Sequence, residues 1–133
     1  MTQKNKELLL KDLCTRFPYG VICQFIWTYS NETTDGEEVI AKENDNIKCI
    51  DIHTKEIQAD YCGEWVDLED CKPYLRPMSS MTKEEKIEYD GMSAPTAQRK
   101  VWVNRIDWLN SHHFDYRGLI EKSLALEAPK GMY

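Results

Sequence analysis

Two histidines, an aspartate and an arginine near the C-terminus are the residues best suited to chemistry. The segment reads His112-His113-Phe114-Asp115-Tyr116-Arg117. An imidazole can act as a general base or bind a metal, and a carboxylate can orient it. Adjacent side chains on a helix or strand point in different directions, so we interpret the group first as structural, with Asp115 as a cap and Arg117 paired to an acid. A small metal-dependent hydrolase using His112, His113 and Asp115 is the enzymatic alternative.

No short motif with a reaction mechanism behind it occurs in the chain. The H-x-x-x-H spacing of zinc sites, the G-x-S-x-G of serine hydrolases and the glycine-rich phosphate loops are all absent from the sequence. Asp51 and His53 would share one face of a strand, but nothing in the sequence brings them to the other histidines. We therefore expect no catalytic residue, no metal and no cofactor, and a protein that is not an enzyme.

The distribution of charge favours a protein partner over duplex DNA. The 133 residues include 17 Lys and Arg against 23 Asp and Glu, a net charge of −6. Residues 32–70 alone contain thirteen acids and three lysines, a net charge of −10. Duplex DNA rewards clustered lysine and arginine, whereas an acidic surface favours basic partners. A nucleic-acid-binding small barrel that uses Lys72, Tyr74 and Arg76 is a further alternative.

Apolar periodicity predicts an α+β fold that begins with a helix. Leu9 and Leu13 recur at helical spacing within a predicted helix from Lys4 to Phe17, which Pro18 ends. Alternating aromatic and β-branched residues predict a strand from Tyr19 to Tyr29.

Further short strands are expected up to Leu75, among them Ile47 to His53 and Trp65-Val66. Asn and Asp tolerate a left-handed backbone, so Glu43-Asn44-Asp45-Asn46 is predicted as a hairpin turn between two of them. Four to five short strands joined by tight turns predict a small antiparallel sheet or an SH3-like barrel.

The C-terminal third is predicted to be helical. Thr82 to Glu85 has the pattern of a capping box at the start of a helix that runs to about Asp90. A second helix is predicted from Ala97 to Asn110. Its apolar stripe includes Val101, Trp102, Ile106, Trp108 and Leu109.

A last short helix is predicted from Tyr116 to Leu126, with Asp115 as its N-cap.

Length and cysteine content favour one cytoplasmic domain over residues 1–133. No apolar run approaches the roughly 20 residues of a membrane helix, and the N-terminus lacks the apolar region of a secretory signal. The five cysteines are odd in number, widely spaced and without a C-x-x-C pair, which indicates thiols in a reducing compartment. They are Cys14, Cys23, Cys49, Cys62 and Cys71.

Two strings resemble a known group of proteins. KPYLRPMSSMT and HHFDYRGLIEKSLALEAP, within the stretches Cys71 to Glu85 and Ile106 to Tyr133, are similar to short uncharacterised proteins of prophages and mobile elements in gut anaerobic bacteria. The two stretches cover about a third of the chain. The resemblance implies a bacterial or phage cytoplasm and assigns no role to any residue.

The sequence as a whole predicts a non-enzymatic binding or regulatory protein of a bacterial mobile element. It would act through a protein partner, with the acidic segment as a candidate surface. The candidate binding residues are His112, His113, Asp115, Arg117, Tyr74 and Arg76.

Overall fold

The structure, a computed structural model, describes residues 1–30, 32–92 and 98–133, without the side chains of Thr34 and of residues 98–103. The predicted linker from Ser93 to Thr96 and the side chains of Val101 and Trp102 lie outside this part of the chain. The chain divides into two compact units, residues 1–74 and 75–133. The single domain stays a prediction, and each unit is described by itself.

The first unit begins with helix α1, Gln3–Arg16, which confirms the first predicted helix. The Thr2 hydroxyl accepts a hydrogen bond from the Asn5 amide at 3.1 Å and so caps an otherwise unpaired donor at the helix start. Leu9 and Leu13 are fully buried, as their helical spacing predicts. The Lys6 ammonium on the same helix lies 3.0 Å from Glu69, in a 3₁₀ turn formed by Leu68–Asp70.

A charged pair is buried beside these leucines. The Asp12 and Arg16 side chains are both fully buried, and Arg16 Nε donates to Asp12 Oδ2 at 2.8 Å across one helical turn. Removing two charges from water costs several kcal/mol each, so each charge depends on the other for compensation. Helical spacing alone placed charged residues on the solvent face and missed this pair.

Five strands follow, and all but Leu75, the last residue of the fifth, belong to the first unit. They are β1 Ile22–Tyr29, β2 Val39–Asp51, β3 Glu56–Ala59, β4 Trp65–Asp67 and β5 Cys71–Leu75. All pairings among β1 to β5 are antiparallel. The buried apolar residues alternate along β1 and β3, which places one face of each strand against the core.

The predicted turn at residues 43–46 is wrong, because β2 continues straight through it. Residues 39–46 pair with all of β1, and residues 47–51 pair with β3 after a shift in register between Ile47 and Cys49. The Asp45 carboxylate, instead of closing a turn, accepts the amides of Asn46 at 2.8 Å, Tyr61 at 2.8 Å and Cys62 at 3.4 Å. The long-range ladder with β1 outweighs the local turn propensity of Asn and Asp.

The strands form an open sheet. The order is β4-β3-β2-β1-β5-β6, where β6 is Leu126–Glu127 in the second unit and lies beside Leu75. The Ala128 amide donates to the Leu75 carbonyl at 2.8 Å. Since β4 and β6 are the two ends of this order, the antiparallel-sheet form of the prediction is the one that the structure shows.

Two helices belong to the second unit. Helix α2, Lys83–Gly91, starts with the predicted capping box, in which the Glu85 amide donates to Thr82 and the Thr82 amide donates to Glu85, both at 3.1 Å. Helix α3, Gln98–Ser111, confirms the strongest predicted helix. Trp108 and Leu109 on α3 are buried together with Phe114.

The helix predicted from Tyr116 to Leu126 is wrong. The segment is a series of turns in which Gly118 and Ser123 have φ angles of 72° and 59°, values that interrupt a right-handed helix. Asp115 still serves as a cap, because its two carboxylate oxygens accept the amides of Leu119 at 2.9 Å and Ile120 at 3.0 Å. Leu119 and Leu124 are buried in spite of the missing helix.

Breaking the buried pair in α1 should be strongly destabilising. We expect Asp12→Ala to lower the free energy of unfolding by about 3–5 kcal/mol, because Arg16 is left charged without its carboxylate. The double variant Asp12→Ala with Arg16→Met should lose less than the single variant. Urea unfolding measures both, and Lys11→Ala on the exposed side of α1 is the control. A double variant less stable than Asp12→Ala would contradict the assignment.

Candidate functional site

The predicted binding residues divide between the two units. Tyr74 belongs to the first unit, and Arg76, His112, His113, Asp115 and Arg117 belong to the second. The Tyr74 hydroxyl donates to Asn44 Oδ1 at 3.0 Å and lies 3.4 Å from the Gln24 side-chain amide, so Tyr74 links β5 to β1 and β2. Within the first unit, these hydrogen bonds give Tyr74 a structural role.

His112 packs on an aromatic ring. Its imidazole is stacked on Trp108, with ring centroids 4.1 Å apart and an interplanar angle of 24°. Its Nδ1 lies 2.9 Å from the Trp108 carbonyl oxygen. A carbonyl only accepts hydrogen bonds, so this contact places a proton on Nδ1 and leaves Nε2 as the basic nitrogen of the neutral ring. Tyr89 packs on another part of Trp108 at 5.6 Å between centroids.

The backbone of His113 forms a turn, and its ring stacks on an aromatic side chain. Its φ angle is 63°, which is uncommon for a residue with a side chain. The His113 carbonyl accepts the Arg76 amide at 2.7 Å, and the Asp115 amide donates to the Arg76 carbonyl at 2.8 Å. The buried His113 ring is stacked on Tyr133, with centroids 3.6 Å apart. The two histidines therefore make different contacts and do not form a shared pair.

Arg117 lies among polar aromatic groups. Its guanidinium is 4.9 Å from the centre of the Tyr116 ring and donates to the Tyr116 hydroxyl at 3.2 Å. That hydroxyl donates to Asn110 Oδ1 at 2.9 Å, and Asn110 is buried. These contacts tie the turn after Asp115 back to the end of α3.

Arg76 contacts both a carboxylate and an aromatic ring of the second unit. Its guanidinium donates twice to Glu85, at 2.8 and 2.6 Å, and lies 4.2 Å from the centre of the Phe114 ring. A bidentate pair of this kind is stronger than a single exposed contact. The hydrogen bonds from Arg76 and from the Thr82 amide lower the pKa of Glu85 to about 2 against the opposing effect of burial. Arg76 was a candidate binding residue from the sequence, but its pairing with Glu85 was not predicted.

A cavity of about 430 Å³ opens beside this pair. Its wall is formed by Arg76, Pro77, Ser80 and Thr82 together with residues 127–131 and Tyr133. Two cationic side chains line it, Arg76 and Lys130, and Arg76 has both terminal nitrogens on Glu85. In the part of the chain that the structure describes, no group of three or more His, Cys, Asp or Glu side chains is placed to hold a metal ion.

A second candidate surface lies in the first unit, on the ladder formed by β2, β3 and β4. Asp51 is paired with Glu56, and Glu56 is paired with Asp67, so three carboxylates form one row across three strands. Residues directly opposite each other in an antiparallel ladder point to the same face. The adjacent row, Ile50, Ile57 and Val66, points to the other face, where Ile57 and Val66 are buried. The acidic row therefore points away from the core.

An exposed tryptophan shares this outward face. Trp65 is two residues before Asp67 on β4, opposite Gln58, and 44% of its surface is exposed. Asp51, Thr54, Glu56 and Trp65 together line a shallow depression of about 320 Å³. We call the surface formed by Asp51, Glu56, Asp67 and Trp65 the acidic face.

The acids around this face are crowded. The amides of Thr54 and His53 lower the pKa of Asp51 below its ordinary value. Burial, with the nearby charges of Asp67 and Glu69, raises the pKa of Asp70. Of the lysines nearby, Lys6 is engaged with Glu69.

The number of these acids is visible in the sequence, but their arrangement in one row is not. Asp51 and Glu56 flank the four residues 52–55, and recognition of that loop as the hairpin connection would have paired them. The prediction ran the strand on to His53, which shifts the pairing. Trp65 was recognised as part of a short strand, without an assignment to a face.

Comparison with known proteins gives no relative: no family model, no curated protein and no solved structure matches the chain. None of the helices among the described residues is both long and apolar enough to cross a membrane.

The Arg76–Glu85 pair should make stability depend on pH in the acid range. The folded-state pKa of Glu85 is about 2, below its ordinary value, so the stabilisation is complete above pH ~4.5 and is lost as pH falls through the folded-state pKa. We expect the stability difference between wild type and Glu85→Gln to shrink from pH 5 to about pH 2. Glutamine keeps the capping-box pattern of α2.

Urea unfolding at several pH values measures this difference. Glu84→Gln, an exposed neighbour on α2, is the matched control and should leave the pH profile of the wild type unchanged. A Glu85→Gln variant whose stability runs parallel to the wild type down to pH 2 would contradict the assigned role of the pair.

Repulsion within the acidic face should lower the free energy of unfolding of the free protein. Glu56 lies between two carboxylates, and like charges directly opposite in a ladder are destabilising. We expect Glu56→Gln to raise the free energy of unfolding by about 0.2–1 kcal/mol at low salt, and the gain to fade as salt screens the charges. Glu38→Gln, an exposed acid outside the ladder, is the control and should change stability less. A salt-independent effect at Glu56 would argue against charge repulsion as its cause.

Proposed function

We propose that this protein is a non-enzymatic binding or regulatory protein that acts on a protein partner through the acidic surface of its first unit. The observation that carries the proposal is the placement of the acids. None of the thirteen acids in residues 32–70 is buried: nine are exposed and four are half-buried. The whole net charge of −10 in this segment is therefore presented at the surface of the unit.

A surface with an excess of one charge has predictable consequences for stability and for binding. A dense field of one sign destabilises the compact state by self-repulsion and speeds the approach of a partner of opposite charge. Such complementarity contributes mainly to the association rate and to specificity, and it weakens as salt increases. These properties suit a protein that recognises a basic partner in a regulated and reversible way.

The strand arrangement supports a further part of the proposal, that the first unit is related to SH3-like barrels. A long β2 shares its length between two partners, β1 and β3, and a 3₁₀ turn at Leu68–Asp70 leads from β4 into β5. Modules of this size host many unrelated functions, so the fold adds an analogy and no site. The function rests on the charge of the surface.

The biological setting that we propose is a prophage or mobile element of gut anaerobic bacteria, acting in the bacterial cytoplasm. This part rests on the resemblance of the two C-terminal strings. In that setting the partner would be a host or phage protein with a basic surface.

The proposal is tested by capture followed by reconstitution. The immobilised protein is incubated with lysate of a gut anaerobic bacterium, retained proteins are identified by mass spectrometry, and binding is repeated with the purified candidate. We expect a basic partner whose dissociation constant weakens at least about tenfold between 50 and 300 mM salt.

The control variant replaces exposed acids of the segment by the corresponding amides: Glu32→Gln, Glu37→Gln, Glu38→Gln, Glu43→Gln, Asp60→Asn and Glu64→Gln. It should bind the purified partner more weakly and depend less on salt. Salt-independent binding to a neutral or acidic protein, with equal affinity for this variant, would remove the acidic surface from the proposal.

A further inference from the structure

The acidic face has the geometry of a receptor for a positively charged side chain. Asp51, Glu56 and the exposed Trp65 all line the depression of about 320 Å³. Carboxylates attract a cation by charge, and an indole attracts it through the negative face of its ring. The two kinds of group are independent of each other, and both favour the same ligand.

No ion pair among the described residues neutralises the acidic face, although Lys55 lies in the loop between Asp51 and Glu56 and lines a second pocket with Asp67. Within the described part of the chain, the ion pairs are Lys6 with Glu69, Arg16 with Asp12 and Arg76 with Glu85. Asp51, Glu56 and Asp67 belong to none of them. The row therefore keeps its mutual repulsion in the free protein, and a cation supplied by a partner would relieve it.

We propose that the acidic face binds an arginine-containing segment of a partner protein, with a guanidinium in the depression between Glu56 and Trp65. This inference rests on the proposed function and names the site and the chemistry of the partner. Arginine suits the place better than lysine, because its planar guanidinium stacks on an indole and donates to two carboxylates at once. Asp67 lies one strand further along and can receive a second basic residue of the same segment.

Two other occupants are disfavoured, the first by charge and the second by geometry. A second copy of this chain would present the same acids, and like charges across an interface cost affinity. A bare metal ion fits poorly, since the described residues contain no group of three or more ligating side chains placed to hold one. An extended basic segment satisfies the separated carboxylates without requiring them to converge.

The test uses the full chain and a synthetic heptapeptide of alternating glycine and arginine, with calorimetry at low salt. A peptide in which citrulline replaces arginine keeps the shape and hydrogen-bonding groups without the charge, and a glycine–glutamate peptide reverses the charge. We expect binding of the arginine peptide alone. Equal binding of the citrulline peptide, or no binding of the arginine peptide, would overturn the inference.

Matched variants locate the binding site. The double variant Glu56→Gln, Asp67→Asn should bind the arginine peptide about fivefold or more weakly than wild type. The double variant Glu37→Gln, Glu38→Gln removes the same charge elsewhere and should change the affinity less than about twofold. Trp65→Ala should lower the affinity for the peptide about threefold or more. Tyr61→Ala, at a tyrosine that is 97% exposed, is the control for loss of an exposed aromatic ring. Thermal unfolding of each variant confirms that it is folded before its affinity is compared.

The outcomes separate this inference from the proposed function. If the two double variants weaken binding equally, the peptide responds only to total charge, the acidic face is not the site, and the proposed acidic surface remains in place. If the lysate partner binds the Glu56→Gln, Asp67→Asn variant as tightly as wild type, the inference again fails alone. Peptide binding that depends on Glu56 and Trp65, with competition between peptide and partner, supports both.

Discussion

The backbone hydrogen bonding of β2 is the constraint on which the first unit depends. The strand is thirteen residues long, and each of its amides and carbonyls needs a partner if it is to be withdrawn from water. β1 pairs only with residues 39–46, so residues 47–51 pair with β3 instead, across the register shift at Ile47 and Cys49. An irregularity of this kind increases the local twist of a strand and turns it toward a new partner. The second ladder, with its acidic face, follows from that change of partner.

The second unit shows how polar residues that suit catalysis can be used for folding. The Arg76 backbone is bonded to both His113 and Asp115, and its guanidinium is held between Glu85 and the Phe114 ring. The Asp115 carboxylate is occupied by two amides of the following turn. A cluster of His, Asp and Arg within six residues is therefore compatible with a junction in which each polar group serves a separate local contact.

Local signals made much of the secondary structure predictable from the sequence. Helix α1 and the capping box of α2 depend on residues within one or two helical turns, and both were predicted to within about one residue. The turn at residues 43–46 and the helix from Tyr116 failed because non-local pairing with β1 and left-handed residues such as Ser123 decide those segments. Propensity is a weak guide wherever tertiary contacts compete with it.

The candidate sites were less predictable for the same physical reason. A single residue of register moves every side chain of a strand to the opposite face, so the row of Asp51, Glu56 and Asp67 depends on the loop at residues 52–55. The acidity of the segment was visible in the sequence, and its arrangement required the ladder. The Arg76–Glu85 pair likewise joins residues whose spacing carries no helical or strand period.

Protection of a sheet edge is the simplest structural reason for acids in this ladder, and it explains only one of them. Charged side chains on an edge strand discourage pairing with another chain, and Asp67 on β4, an end strand of the sheet, fits that purpose. Glu56 lies on β3, which is paired on both sides, and Asp51 lies on β2, so neither guards an edge. Asp51 instead stabilises the hairpin loop, because its Oδ1 accepts the amides of His53 at 2.9 Å and Thr54 at 3.1 Å. The charge of Glu56 adds repulsion to the ladder without either benefit. The proposed basic partner would give Glu56 a role that neither edge protection nor loop capping does.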